Sequence, residues 1–119
     1  MDENLKNKHC KACEEGEKPL STHDEEEMAG NITDWEINRQ GTHKLLKTVK
    51  AQTFMDAVTL IRNIAEIAES EQHHPDLHLS YTKLTIELYT HKAGGLTEND
   101  FIMAAKIDDL LQRKGLMNR

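Results

Sequence analysis

Thr53-Phe-Met-Asp-Ala-Val-Thr-Leu-Ile-Arg-Asn-Ile-Ala-Glu-Ile-Ala-Glu-Ser-Glu71, running on into Gln72-His73-His74-Pro75, decides how the rest of the chain is read. Phe54, Ala57, Val58, Ile61, Ile64, Ala65 and Ala68 recur at helical spacing, so one stripe of the segment is apolar. Thr53 with Asp56 resembles a capping box at its start. Pro75 lacks a backbone donor and pushes His74 toward extended geometry, so the helix must stop before it. The pattern predicts a helix over 53–72 with two histidines at the corner where the chain turns.

On both sides of this helix the period changes to two. Trp35 and Ile37 alternate with charged residues, Gln40-Gly41-Thr42 reads as a turn, and Lys44 to Lys50 reads as a second strand, antiparallel by its short connection. Beyond Pro75, Leu77 to Tyr81 and Lys83 to Tyr89 alternate in the same way, with Leu84, Ile86 and Leu88 on one face. Gly94-Gly95 closes that segment. Thr97 then caps a final helix expected over 97–114, with Glu98 and Asp100 in its first turn and Met103, Ile107, Leu110 and Leu111 as its stripe. The order ββαββα favours an α+β two-layer sandwich, a four-stranded antiparallel sheet with two main helices on one face.

At 119 residues the chain is expected to form one domain, with a core modest enough that self-association is expected too. Its charge is uneven. Residues 1–34 hold ten acids against four lysines, whereas 35–119 hold eleven acids and eleven Lys or Arg. Residues 1–30 therefore read as an acidic polar leader that adds little to the core, with a short helix near Ser21–Ala29, and 31–119 as the folded domain. A neutral body argues against nucleic-acid binding, though Lys44, Lys47 and Lys50 cluster in one segment. No apolar run approaches a membrane span, and no secretory h-region is present, so a cytoplasmic location is expected. Cys10 and Cys13 form a C-x-x-C pair with no second pair. An inert pair, a bridge formed on oxidation and a zinc half-site all stay open.

Histidine titrates nearest neutrality, and His73, His74 and His91 with Asp100 fall within 28 residues. Glu69 lies four residues before His73, so on a continuous helix the two share a face and the carboxylate would fix the imidazole's tautomer. His91 has the parity of Lys83, Thr85, Glu87 and Tyr89, so on a regular strand it points away from the core. Asp100 either caps backbone amides or orients an imidazole. Three histidines and an aspartate are also potential zinc ligands, but adjacent imidazoles diverge, so a metal-free site is expected.

Glu69-x-x-x-His73-His74-Pro75, Tyr81, Thr90-His91 and Gly95-Leu96-Thr97-x-x-Asp100, with Trp35 and Thr53-Phe54-x-x-Ala57, resemble the signature of the pterin-4a-carbinolamine dehydratases over roughly residues 31–113. The resemblance implies a dimer or a dimer of dimers, and no cofactor, because the pterin is the substrate. It implies dehydration of 4a-hydroxytetrahydropterin to quinonoid dihydropterin, which recycles the cofactor of aromatic amino-acid hydroxylases. It makes His73, His74 and His91 the catalytic histidines, supported by Glu69 and Asp100. Leu77 and His78 stand where some relatives carry aromatics. The alternatives are a non-enzymatic dimerisation or binding module and a pterin-related role in molybdopterin metabolism.

Overall fold

The computed structural model describes residues 5–12 and 17–116. Cys13 lies outside them, so the reading of the C-x-x-C pair concerns Cys10 alone. The ordered elements are α1 (Thr22–Ala29), β1 (Glu36–Asn38), β2 (Lys44–Lys50), α2 (Phe54–Glu71), β3 (Asp76–Ser80), β4 (Lys83–Leu88) and α3 (Glu98–Arg113), with short 3₁₀ turns at Leu5–Asn7 and His91–Ala93. The strands form one antiparallel sheet in the order β1-β2-β4-β3. This is the expected α+β architecture.

Register explains the two faces. Leu45 pairs with Leu88, Lys47 with Ile86 and Val49 with Leu84, and Leu77 and Leu79 stand beside Ile86 and Leu84. These side chains share the helix-facing side, where Leu60, Ile64 and Ala68 of α2 and Phe101, Met103, Ile107 and Leu111 of α3 complete the core. The residues between them, such as Thr48, Thr85 and His78, face the other way.

Lys47 is the exception on the inner face. Its ammonium lies 2.8 Å from Asp108 Oδ1 and 2.6 Å from the Thr33 carbonyl. The same carboxylate accepts the Trp35 indole N–H at 2.8 Å and the Thr33 amide at 2.9 Å. A buried charge needs such a set of partners. The three lysines of β2 consequently do not make one basic face. Lys47 is buried, while Lys44 reaches Glu87 and the Tyr89 ring from the opposite side.

The leader packs far more closely than its composition suggests. Leu5 is only 7 % exposed and belongs to the core. Leu20 N–H donates to the Leu96 carbonyl at 2.8 Å. Glu25 of α1 is fully buried, its oxygens 2.9 Å from Arg39 Nε and 2.7 Å from His43 Nδ1. The leader and α1 therefore cover the side of α3 away from the sheet. For that reason α3 buries Ile102, Ala104 and Ala105 besides its expected stripe. Pro19 approaches Gly95 so closely that a Cβ there would lie 2.9 Å from the proline's, so only glycine fits without a shift.

Candidate active site

Four segments meet at the sheet end beneath α3. The helix α2 ends at Glu71, and Gln72 turns the chain with a left-handed backbone, φ 55°. His73 thus leaves the helix before the proline acts. Its Nε2 lies 2.7 Å from Asp100 Oδ1, and its side chain is 13 % exposed. Asp100 is fully buried in the first turn of α3. Its Oδ2 accepts the Thr97 amide at 2.9 Å and the Thr90 hydroxyl at 2.8 Å. Both roles considered for Asp100 are therefore present in one side chain, a cap through Oδ2 and an imidazole partner through Oδ1.

Three partners, His73, Thr90 and Thr97, converge on this one carboxylate. The Asp100 Oδ1 contact takes up one imidazole nitrogen of His73, Nε2, within the protein. Because Thr90 donates to Asp100, the Thr97 hydroxyl, 2.8 Å away, donates to Thr90. Thr90 immediately precedes His91. One buried aspartate therefore registers the end of α2, the chain after β4 and the start of α3 against each other.

The expected Glu69–His73 pair does not form. The helix stops two residues too early for the four-residue spacing to hold, and Glu69 meets His74 instead, Oε2 to Nε2, at 2.6 Å on the surface. His91 is exposed as expected, but for a different reason. Strand β4 ends at Leu88, and His91 opens a 3₁₀ turn rather than continuing the alternation. Its Nδ1 lies 3.1 Å from the Tyr89 hydroxyl, with ring centroids 4.3 Å apart and planes tilted by 44°. Among the described residues no group of three or more His, Cys, Asp or Glu is placed to hold a metal ion.

Residues not anticipated as part of the site also gather here. Glu71 accepts the Cys10 amide at 2.7 Å and pairs with His9 Nδ1 at 2.8 Å. Burial alone would push its carboxyl up, but the Cys10 amide, His9 and Lys106 together hold it below the usual range. The Cys10 thiol is pushed up to about 12 by burial first, then by the Glu71 and Asp100 carboxylates. Nothing in the spacing of Glu71 marked it, because its partner Cys10 lies 61 residues away; Thr90 stood in the Thr90-His91 element of the signature, but its bond to Asp100 did not show there.

Comparison with known proteins identifies the family. Residues 18–110 match the family model described as pterin 4 alpha carbinolamine dehydratase. A Methylococcus capsulatus protein named for the same dehydratase is 40 % identical over 103 residues, covering 87 % of this chain and 90 % of its own. Pterin-4-alpha-carbinolamine dehydratase 2, mitochondrial, of Arabidopsis thaliana is 37 % identical over 118 residues, covering 92 % of this chain and 63 % of its own. The crystal structure of a transcriptional coactivator/pterin dehydratase from Brucella melitensis superposes with a TM-score of 0.73 at 25 % identity, covering 78 % of this chain and 98 % of that one.

Proposed function

This chain belongs to the pterin-4α-carbinolamine dehydratase family, a family of hydro-lyases, and we propose that it dehydrates a 4a-hydroxytetrahydropterin by metal-free proton transfer between histidines. The observation that carries this reading is the His73–Asp100 pair. A fully buried carboxylate holds one imidazole nitrogen and leaves the other for substrate.

Loss of water from C4a needs a proton delivered to the leaving hydroxyl and the N5 proton removed, so that the C4a–N5 double bond forms as the C–O bond breaks. Two imidazoles near a flat ring supply both transfers without a net change in the protein's protonation. His73 and His91 form the proton-transfer pair, and His74, tied to Glu69, positions the substrate by hydrogen bonding. Asp100 orients His73, and Thr90, which directly precedes His91, donates to the same carboxylate. The product, a quinonoid dihydropterin, serves aromatic amino-acid hydroxylases again once a separate two-electron reduction has returned it to the tetrahydropterin. No helix among the described residues is long and apolar enough to cross a membrane. We place the enzyme in the cytoplasm, as a homodimer or homotetramer.

The test is acceleration of dehydration of a 4a-hydroxytetrahydropterin generated in place by a hydroxylase or by synthesis. Wild type accelerates it and keeps its rate after exhaustive chelation. His73→Ala and His91→Ala each lose about 100-fold or more, the usual scale for a proton-transfer group. A wild type no faster than buffer overturns the reading and leaves a binding or dimerisation module. Full activity in both histidine variants overturns the assignment of the site.

A further inference from the structure

Residues 8–12 run as a strap between the end of α2 and the start of α3. Lys8 Nζ meets Glu98 at 2.7 Å. Glu71, whose side chain is 5 % exposed, takes the Cys10 amide on one oxygen and His9 on the other. The Asn99 side chain accepts from the Lys11 amide at 3.0 Å and donates to the Lys11 carbonyl at 2.7 Å, as a neighbouring strand would. Cys10 Sγ sits 3.7 Å from the Asn99 carbonyl. The anchors grip mainly the strap's backbone, so they fix its path rather than one side-chain contact.

Both anchors adjoin the proposed proton-transfer machinery. Glu71 lies two residues before His73, and Asn99 directly precedes Asp100. So held, His9 to Ala12 form one side of a cavity of about 440 Å³ whose other side includes Glu71, Asn99 and His73. The cavity and His73 thus share a wall that the family model's matched span, 18–110, does not include.

We infer that residues 9–12 are a wall of the substrate site, and that Glu71 and Asn99 are positioning residues that hold this wall against His73. The inference rests on the dehydratase reading of the site and adds a determinant of substrate affinity to it. The strap touches the bound ring without exchanging protons with it. Releasing the strap therefore removes binding contacts made equally in the ground and transition states, which raises KM and spares kcat.

The experiment uses the full chain with Glu71→Ala, Asn99→Ala and the conservative Glu71→Gln, which keeps an acceptor for the Cys10 amide. Three quantities are read: site-resolved alkylation of Cys10, kcat and KM for the 4a-hydroxytetrahydropterin, and the melting temperature. Opening of the strap in the alanine variants raises Cys10 alkylation by roughly tenfold or more. KM rises about tenfold with kcat nearly unchanged, and Glu71→Gln stays closer to wild type. Partial unfolding would instead lower the apparent kcat at constant KM. If an alanine variant does not fold, Lys11→Pro removes the amide that Asn99 accepts and leaves both helices untouched. Reactive Cys10 with unchanged KM, in an active protein, overturns the strap alone. Cys10 alkylation as slow as in wild type shows that these anchors do not hold it, and also overturns the inference. A wild type without dehydratase activity overturns the functional reading, and this wall with it.

Discussion

The Thr90 hydroxyl donates to Asp100 Oδ2 at 2.8 Å, so the residue before His91 and the carboxylate that holds His73 form one hydrogen-bonded unit. Two histidines 18 positions apart in the chain are in this way referred to a single buried charge. Thr90→Val removes the donor at nearly constant volume and strands the Thr97 hydroxyl. The expected destabilisation is about 1–3 kcal/mol, the cost of leaving buried polar groups unpaired. Turnover falls as well, whereas Thr90→Ser restores both. Urea denaturation alongside dehydration kinetics checks this, and a Val variant as stable and as active as wild type contradicts it.

Glu69 acts with His74, not with His73, because of where α2 ends. In kinetics, Glu69→Ala therefore shares the phenotype of His74→Ala, a rise in KM larger than the fall in kcat. The double variant Glu69→Ala/His74→Ala adds little to His74→Ala alone, while Glu69→Ala and His73→Ala combine additively. Coupling of Glu69 to His73 would show that the pairing in the working enzyme differs.

Leu5 is a core residue, so the leader is part of the fold. Leu5→Ala costs about 2–4 kcal/mol by loss of buried surface and the cavity left behind. Deleting residues 1–30 costs more, because it also removes the buried Glu25 and leaves Arg39 and His43 without it. Denaturant midpoints measure both. A truncated protein as stable as the full chain would mean that the leader only rests on the surface.

The Cys10 thiol, raised to about 12, is almost wholly protonated at neutral pH. At pH 8 its thiolate fraction is roughly a thousandfold below that of an ordinary cysteine, and alkylation slows accordingly. In a Cys13→Ser background, the iodoacetamide rate should stay low at pH 8 and keep rising well above pH 9. A rate that levels off near pH 9 contradicts the shielded position.

Glu71 titrates in the opposite sense. Its folded-state pKa is depressed, so its ionised form supports the strap at every pH above the ordinary carboxylate range. That support is lost only as pH falls through the lower folded value. Thiol exchange of Cys10 with a dipyridyl disulfide, which proceeds in acid, should speed up below that point in wild type and be flat in Glu71→Ala.

The elements themselves were legible because their signals are local. A 3.6-residue period from Phe54 to Ala68, a two-residue period from Lys83 to Leu88 and the caps at Thr53 and Thr97 are properties of neighbouring residues. The order of these elements, read together, leaves an antiparallel sheet covered on one face as the economical way to bury their apolar sides. His73, His74, His91 and Asp100 were visible as candidates for the same reason, since residue type alone carries their chemistry. Their partners were a different matter. Gln72 adopts a left-handed turn, and that single backbone angle moves Glu69 from His73 to His74. Asp100 reaches His73 across 27 residues, Glu71 reaches Cys10 across 61, and Asp108 reaches Lys47 across 61. No local pattern encodes such contacts, because each arises only when the helices have docked on the sheet. Low dielectric and the cost of unpaired buried groups then select the pairs. The acidic leader shows the same division. Its composition reads as solvated, yet Leu5 and Glu25 are buried, because the outer side of α3 would otherwise leave Ala105 and its neighbours open to water.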